Sequence, residues 1–275
     1  MSFFQNIKHE LSKHNILTIL LVLNISLFLV INLDEHIFNL GLLNLLELPL
    51  DLSRYITRFW TIFTYMFSHK DLGHVFYNML LLYFSAKTFL NFLPEKKLLY
   101  IYLMSGLFGG LILLILSAIA PAIFYGSYLI GASAAVIGIV MCMAMYVPNI
   151  SVSLFGIIEM KYKHFALLIF VLSSIVDFTI NTGGKISHFG GAFFGLFYGY
   201  MLRNGKDISQ FTLFNFKKKE NKLKVVHSNK TAVPGSPANE NQQTIDALLD
   251  KISKNGYDSL TKTEKELLFK LSQKK

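Results

Sequence analysis

The sequence predicts an all-α, polytopic membrane protein whose six transmembrane helices form a bundle. Hydrophobic residues make up 53% of the 275 residues and charged residues only 16%, with a mean hydropathy of +0.46. A helix that spans a bilayer needs about 20 mostly apolar residues, and six runs approach this length. The runs cover residues 16–33, 73–92, 98–120, 130–147, 164–180 and 186–202. This composition is too apolar for an ordinary soluble domain.

Lysine positions orient these runs in the membrane. An even number of runs leaves both termini on one side, and pairs of lysines lie in three segments of that side: Lys8 and Lys13, Lys96 and Lys97, and Lys161 and Lys163. Positive residues concentrate in cytoplasmic loops, so we expect both termini in the cytoplasm. The excess of Lys over Arg leads us to expect a bacterial inner membrane.

The segment between the first two runs, residues 34–72, is long but strongly apolar. It contains the stretches LGLLNLLELPL and RFWTIFTYMF. Such a composition predicts a first loop embedded in the membrane interface, with Tyr55, Trp60 and Tyr65 as aromatic anchors. A water-soluble outer domain would be more polar.

Composition divides the chain into three parts. Residues 1–204 form the predicted membrane domain, and residues 205–243 form a predicted basic, flexible cytoplasmic linker. Residues 244–275 are predicted to form a small helical pair, whose second helix starts with a capping box of Thr261 and Glu264. From residue 203 onward there are 15 Lys and Arg against 8 Asp and Glu. An anionic membrane surface accounts for this charge, so no nucleic-acid partner is expected, and the sequence identifies no other partner for the tail.

Four polar side chains lie near the outer ends of the even-numbered runs, where burial in lipid is costly. His74 and Asn78 are one helical turn apart in the second run, Ser133 starts the fourth, and His188 starts the sixth. Because the even-numbered runs all descend from the outer face, these residues share one depth. The topology came from Lys and Arg positions alone, so the shared depth is independent support for a single site near the outer face.

The four residues suit nucleophilic acyl transfer. A serine hydroxyl needs an adjacent base, and Ser133 with His188 is the predicted catalytic dyad. Positioned donors must stabilise the developing oxyanion, and the Ser133 backbone N–H, the Asn78 amide and the His74 imidazole can donate. Asp177 lies in the fifth run with an undetermined direction, so the sequence assigns no third member.

Small residues predict where the fourth and sixth runs approach each other. Glycines recur every four residues on the sixth run, and small residues lie on the fourth run. They are Gly191, Gly195 and Gly199 on the sixth run and Gly131, Ala135 and Gly138 on the fourth. Small residues allow close helix packing in lipid, which would bring Ser133 beside His188.

Each feature also has a purely structural explanation. A serine can bond to its own helix, a glycine repeat can serve packing alone, and His74 with Asn78 can be an isolated pair. A metal site formed by His69, His74 and His188 is a lesser alternative, because no acidic or cysteine ligand accompanies them in the membrane. We therefore expect no metal and no cofactor.

The ordered combination of these motifs resembles the rhomboid intramembrane serine proteases. The motifs are His74-x-x-x-Asn78, Gly131-x-Ser133 and His188-x-x-Gly191-x-x-x-Gly195, and the stretches WTIFTYMFSH and YLMSGLFGG are similar too. The resemblance covers about residues 58–203. It implies Ser133 as nucleophile, His188 as general base, and His74, Asn78 and the Ser133 amide as the oxyanion hole.

The resemblance further implies a rhomboid-like six-helix bundle, a mobile fifth helix that gates substrate access, and single-span membrane proteins as substrates. The sequence departs from the family at Ala134, where Gly is common, and at Ile137, where an aromatic residue commonly packs on the catalytic histidine. The leading hypothesis is a serine endopeptidase that hydrolyses peptide bonds near the outer end of a substrate helix. The alternative is a pseudoprotease that binds or chaperones membrane helices, while a transporter lacks support because no paired broken helices are present.

Overall fold

The computed structural model describes residues 15–154, 158–174, 182–211 and 237–272. The chain divides into two compact units, Met1–Asn215 and Phe216–Lys275. In the described part of the first unit, six helices have 13 or more residues: α1 Asn15–Leu33, α2 Leu72–Leu90, α3 Glu95–Ile119, α4 Ser133–Tyr146, α5 Tyr162–Ser174 and α6 Thr182–Arg203. The predicted helical fold is therefore confirmed.

Shorter elements connect these helices. Between α1 and α2 lie a π-helical turn, Asp34–Phe38, three short helices, Leu42–Leu46, Leu52–Thr57 and Thr61–Thr64, and a 3-10 turn, Tyr65–Phe67. Between α3 and α4 lies the short helix Pro121–Phe124, and after α6 the 3-10 turn Ile208–Phe211. The strands β1 (Leu48–Pro49) and β2 (Tyr128–Leu129) pair antiparallel, as do β3 (Ser151–Leu154) and β4 (Ile158–Lys161).

Two helices in the described ranges are long and apolar enough to cross a membrane by themselves: Asn15–Phe38, which includes the π-helical turn, and Glu95–Ile119. The other four fall short for two reasons. Helices α4 and α5 have 14 and 13 residues, or about 20 Å each, against a hydrocarbon core of about 30 Å. Helices α2 and α6 are longer but contain glycine and polar residues. The six-span arrangement stays a prediction.

Helix α4 forms the centre of the first unit. Nine of its 14 side chains are buried, and it contacts α2, α3, α5 and α6. A helix enclosed on all sides is apolar all round, which explains why its sequence shows no polar face. The residue at its amino-terminal end, Ser133, therefore belongs to a helix that packs against four others.

Helices α4 and α6 pack through matched small residues. A Cβ added at Gly191, Gly195 or Gly199 would overlap the backbone carbonyl oxygen of Ala134, Gly138 or Cys142, respectively. The four-residue spacing continues along both helices, so three successive turns of α6 lie directly on the α4 backbone. Ala134, rather than the predicted Ala135, lies opposite Gly191, while Gly138 also meets the Ser105 side chain of α3.

The loop between α1 and α2 departs from the prediction at Tyr65. The expected interfacial anchor is fully buried, and its hydroxyl donates to the Gly106 carbonyl at 2.6 Å. Tyr65 turns inward because α3 has glycines on this face, and its ring lies against Gly110. Trp60 is 41% exposed, and its indole N–H donates to the Leu45 carbonyl at 2.9 Å.

The second unit contains helices α7 (Pro237–Asn255) and α8 (Lys262–Ser272), joined through a 3-10 turn, Tyr257–Ser259. The predicted capping box is confirmed: the Thr261 N–H donates to Glu264 Oε2 at 2.7 Å, and the Glu264 N–H donates to Thr261 Oγ1 at 3.4 Å. The Lys251 ammonium donates to Glu264 and, with the Thr261 bonds, lowers the pKa of that carboxyl to about 2. Residues 212–236 of the predicted linker lie outside the described residues. Residues 237–243, also predicted as linker, form the first turns of α7, so this helix begins seven residues earlier than predicted.

Candidate active site

The predicted dyad residues are in direct contact. Ser133 is the first residue of α4, and His188 lies in the second turn of α6. The His188 Nε2 atom and the Ser133 Oγ atom are 2.7 Å apart, a short hydrogen bond. His188 is buried, with 8% exposure, while Ser133 is partly exposed. The two side chains come from positions 55 residues apart in the sequence.

The glycine contacts explain how this distance arises. Gly191 lies one helical turn after His188 and rests on the Ala134 backbone, next to Ser133. On the other face of α6, a Cβ added at Gly190 would lie 2.8 Å from the Gly109 Cα of α3. Because α6 packs closely against α4 at Gly191 and against α3 at Gly190, His188 lies within hydrogen-bond reach of Ser133.

The predicted oxyanion donors lie on α2 and at the loop that precedes α4. A Cβ added at Gly131 would be 2.6 Å from the His74 ring, so the loop passes directly over this imidazole. Gly131 adopts a φ of 110°, a conformation that favours glycine. Gly131 was predicted to face the sixth helix but contacts α2 instead, because the chain has not yet entered α4. Asn78 is buried, with 7% exposure.

His69 links Asn78 to the loop that precedes α4. The sequence suggested no role for its side chain other than that of a metal ligand. His69 is fully buried, and its Nε2 accepts hydrogen bonds from the Asn78 amide at 3.2 Å and from the Ala132 N–H at 3.3 Å. Its ring centroid lies 5.0 Å from that of His74. His69 thus ties α2 to the residue before Ser133. It lies in a loop, where no helical period marks a residue as inward-facing.

A second residue that the sequence argument missed is Ser174, at the end of α5. Its side chain is 4% exposed, and its Oγ lies 3.3 Å from His188 Nδ1. Asp177, whose direction the sequence left open, lies outside the described residues. Both nitrogens of the His188 ring therefore contact a serine hydroxyl, each from a different helix.

A cavity of about 510 Å³ opens beside His74. Its lining includes the charged side chains of Lys70 and Asp71 and the hydroxyl-bearing residues Ser127 and Tyr128. Apolar side chains complete the lining, so polar groups suited to binding water lie beside His74.

The burial of His69 predicts a pH dependence of stability. Burial, together with the nearby His74, lowers the pKa of His69 from 6.5 to about 3. The unfolded chain takes up a proton on this residue below about pH 6.5 and the folded protein does not, so lowering the pH from about 7.5 to about 5 costs about 2 kcal/mol of stability. A His69→Gln variant, which keeps a hydrogen-bond acceptor, is expected to lose this part of the pH dependence.

The measurement is the apparent melting temperature in detergent at both pH values. His36→Gln serves as the matched control, because His36 is an exposed histidine in the same loop region. This control should retain the wild-type pH dependence. An unchanged pH dependence in His69→Gln would contradict the assignment of His69 as a buried neutral acceptor.

Comparison with known proteins identifies two matching families. The Rhomboid domain family matches residues 57–205, more than half of the chain. A family of unknown function (DUF6576) matches residues 238–274, which contain the helical pair. A search of curated proteins found no match. The residues that contact one another around Ser133 all lie within the first match, and the chain is an integral membrane protein that belongs to the rhomboid family.

Proposed function

We propose that this protein is an intramembrane serine endopeptidase that uses Ser133 as nucleophile and His188 as general base. The observation that carries the proposal is the 2.7 Å contact between Ser133 Oγ and His188 Nε2. A hydroxyl becomes a nucleophile when a neutral imidazole nitrogen can accept its proton at hydrogen-bond distance. A pseudoprotease that only binds membrane helices would not require this pair.

The reaction follows from this geometry. Ser133 Oγ attacks the scissile carbonyl carbon while His188 Nε2 takes the hydroxyl proton, and the carbonyl oxygen becomes an oxyanion. When the tetrahedral intermediate collapses, the C–N bond breaks and His188 returns the proton to the leaving amine. A water molecule, deprotonated by His188, then hydrolyses the acyl-enzyme and regenerates Ser133.

Three groups are proposed to stabilise the oxyanion. The first is the Ser133 backbone N–H, at the amino-terminal end of α4, where the helix dipole is favourable to negative charge. The other two are the side chains of His74 and Asn78. His69 accepts from Asn78 at 3.2 Å and from the N–H of Ala132 at 3.3 Å, which supports a preorganised arrangement of donors. No cofactor or metal takes part in this scheme.

In the proposed membrane arrangement, the six apolar runs of the sequence cross the bilayer, both termini are cytoplasmic, and the site lies near the outer face of a bacterial inner membrane. Helix α4 is about 20 Å long, shorter than the hydrocarbon core of about 30 Å. If the carboxyl-terminal end of α4 lies at the cytoplasmic face, Ser133 at its other end lies below the outer surface of the membrane. The polar cavity beside His74 would supply the water for hydrolysis.

The remaining parts of the chain are proposed to act outside this membrane domain of residues 1–204. A basic linker is proposed to precede α7, which begins at Pro237, and α7 and α8 form a helical appendage whose partner is not identified by the sequence. The proposed substrates are single-span membrane proteins. They are proposed to reach the site from within the bilayer, past the fifth helix.

The first test concerns the substrate helix. In a helix, the scissile carbonyl is already hydrogen-bonded, so the substrate must unwind locally before attack. In liposomes that contain the purified protein and a labelled single-span reporter, we expect one cut near the outer end. Replacing glycine residues at the cut with leucine is expected to slow cleavage about tenfold, since each glycine costs about 1 kcal/mol in helix propensity.

The matched control places the same substitutions two helical turns deeper in the reporter, where cleavage should proceed at the parent rate. The products are identified by mass spectrometry. If the protein cut no reporter, or if helix formers at the cut left the rate unchanged, the proposed function would be contradicted.

A further inference from the structure

The His188 ring is held from two sides by hydroxyl groups of different helices. Its Nε2 lies 2.7 Å from Ser133 Oγ of α4, and its Nδ1 lies 3.3 Å from Ser174 Oγ of α5. His188 is 8% exposed and Ser174 4% exposed, so the second contact is buried, whereas Ser133 is partly exposed. A buried ring nitrogen that carries a proton requires an acceptor, and Ser174 lies where that acceptor is needed.

The neighbours of Ser174 indicate which way its hydroxyl points. Ser174 Oγ lies 3.4 Å from Ser173 Oγ, and the Ser173 hydroxyl donates to the Phe170 carbonyl at 3.3 Å. A carbonyl oxygen can only accept, so Ser173 presents its lone pairs to Ser174. The Ser174 hydroxyl then donates to Ser173 and turns its own lone pairs towards His188.

This arrangement selects one tautomer of His188. With the Ser174 lone pairs facing it, Nδ1 carries the ring proton and donates to Ser174. Nε2 is then unprotonated and accepts the hydroxyl proton of Ser133, as a general base must. The hydrogen bonds then form one continuous series. Ser133 donates to His188, His188 to Ser174, Ser174 to Ser173, and Ser173 to the Phe170 carbonyl.

We propose that Ser174 is a positioning residue that keeps the proton of neutral His188 on Nδ1 and orients its ring towards Ser133. The inference rests on the proposed protease function for its catalytic consequence, but the tautomer itself can be measured without any cleavage. Ser174 acts through His188 and does not touch the substrate.

The same contact couples the base to the position of α5. The buried side chains of this helix, Tyr162, Ala166 and Ser174, lie along one stripe at multiples of four residues. Phe170 continues the stripe and packs edge-on against Phe189, beside His188, at a centroid distance of 5.0 Å. When α5 is seated, Ser174 meets His188. The contact between Ser174 and His188 therefore depends on the packing of α5 against α6.

A kinetic test compares Ser174→Ala, Ser174→Thr and the wild type in liposomes with the labelled reporter. Loss of one neutral hydrogen bond is expected to lower kcat about tenfold and to leave KM unchanged. Ser174→Thr keeps the hydroxyl and should recover most of the rate. Ser85→Ala is the matched control, because Ser85 is a buried helical serine that bonds to the Leu81 carbonyl of its own helix. It should leave kcat unchanged.

A spectroscopic test separates this inference from the proposed function. The protein is labelled with ¹⁵N-histidine, and the His188 ring signals are assigned by their loss in His188→Gln. In the wild type at mildly basic pH we expect the Nδ1–H tautomer, and in Ser174→Ala a mixture of both tautomers. An Nε2–H tautomer in the wild type, or an unchanged tautomer and kcat in Ser174→Ala, would overturn the role of Ser174. Absence of proteolysis with the expected tautomers would instead contradict only the protease function.

Discussion

Replacing Ser133 with alanine is expected to reduce cleavage of the liposome reporter by roughly 10⁴-fold or more. The substitution removes the only atom that attacks the scissile carbonyl in the proposed mechanism, and the methyl group that remains has no proton to transfer. His188→Ala is expected to have a similar effect, because Ser133 and His188 act as one unit. For the same reason, the double variant should be no worse than either single variant.

This experiment measures kcat/KM for the three variants and the wild type. Ser133→Ala should still bind the reporter, because the side chain is small and only its oxygen is lost. Binding is measured by cross-linking. Ser117→Ala is the matched control: Ser117 is a buried serine of α3 that donates to the Leu114 carbonyl of its own helix. Equal cleavage by Ser133→Ala and the wild type would exclude Ser133 as the nucleophile.

Gly191→Ala is expected to reduce kcat about 10²-fold and to lower the free energy of unfolding by about 1–3 kcal/mol. The added methyl group would overlap the Ala134 carbonyl oxygen, which belongs to the helix backbone and cannot rotate away. The first turns of α6 must therefore move away from α4. That movement increases the distance between His188 Nε2 and Ser133 Oγ, which is 2.7 Å in the intact protein.

The control for this variant is Gly73→Ala. Gly73 lies in the first turn of α2, and a Cβ added there meets no atom within 4 Å. Alanine should therefore be tolerated or slightly stabilising at this position, because it has the higher helix propensity. The measurements are kcat and the apparent melting temperature in detergent. Wild-type values for Gly191→Ala would show that the helix contact at Gly191 does not hold the dyad together.

The close approach of α4 and α6 was predictable because it depends on a periodic pattern. Glycines at intervals of four lie on one face of a helix, and the partner helix shows a similar series, so the contact follows from local spacing. The pattern did not decide the register. Ala134 rather than Ala135 lies opposite Gly191, and a shift of one residue on a helix is a rotation of about 100°.

The loop residues could not be predicted in the same way. Tyr65 was expected at the membrane interface, because aromatic residues in apolar loops commonly lie there. It is buried against α3 instead, through a hydrogen bond to Gly106. Likewise, His69 accepts from Asn78 and from the N–H of Ala132. These contacts depend on how short turns fold back, and no sequence period reports the direction of a side chain in such turns.

The first residues of α4 show which features the sequence determined and which the tertiary structure decided. The sequence by itself determined that a serine stands at the start of an apolar helix and that small residues permit helix contact. It also predicted that two histidines and an asparagine share the depth of this serine. These features follow from composition, charge and period, which are local properties of the chain. Only the tertiary structure decided which atoms meet: Ser174 against His188, and His69 against Asn78. Such contacts join residues that are distant in sequence or lie in irregular loops, and they exist only after the helices have packed.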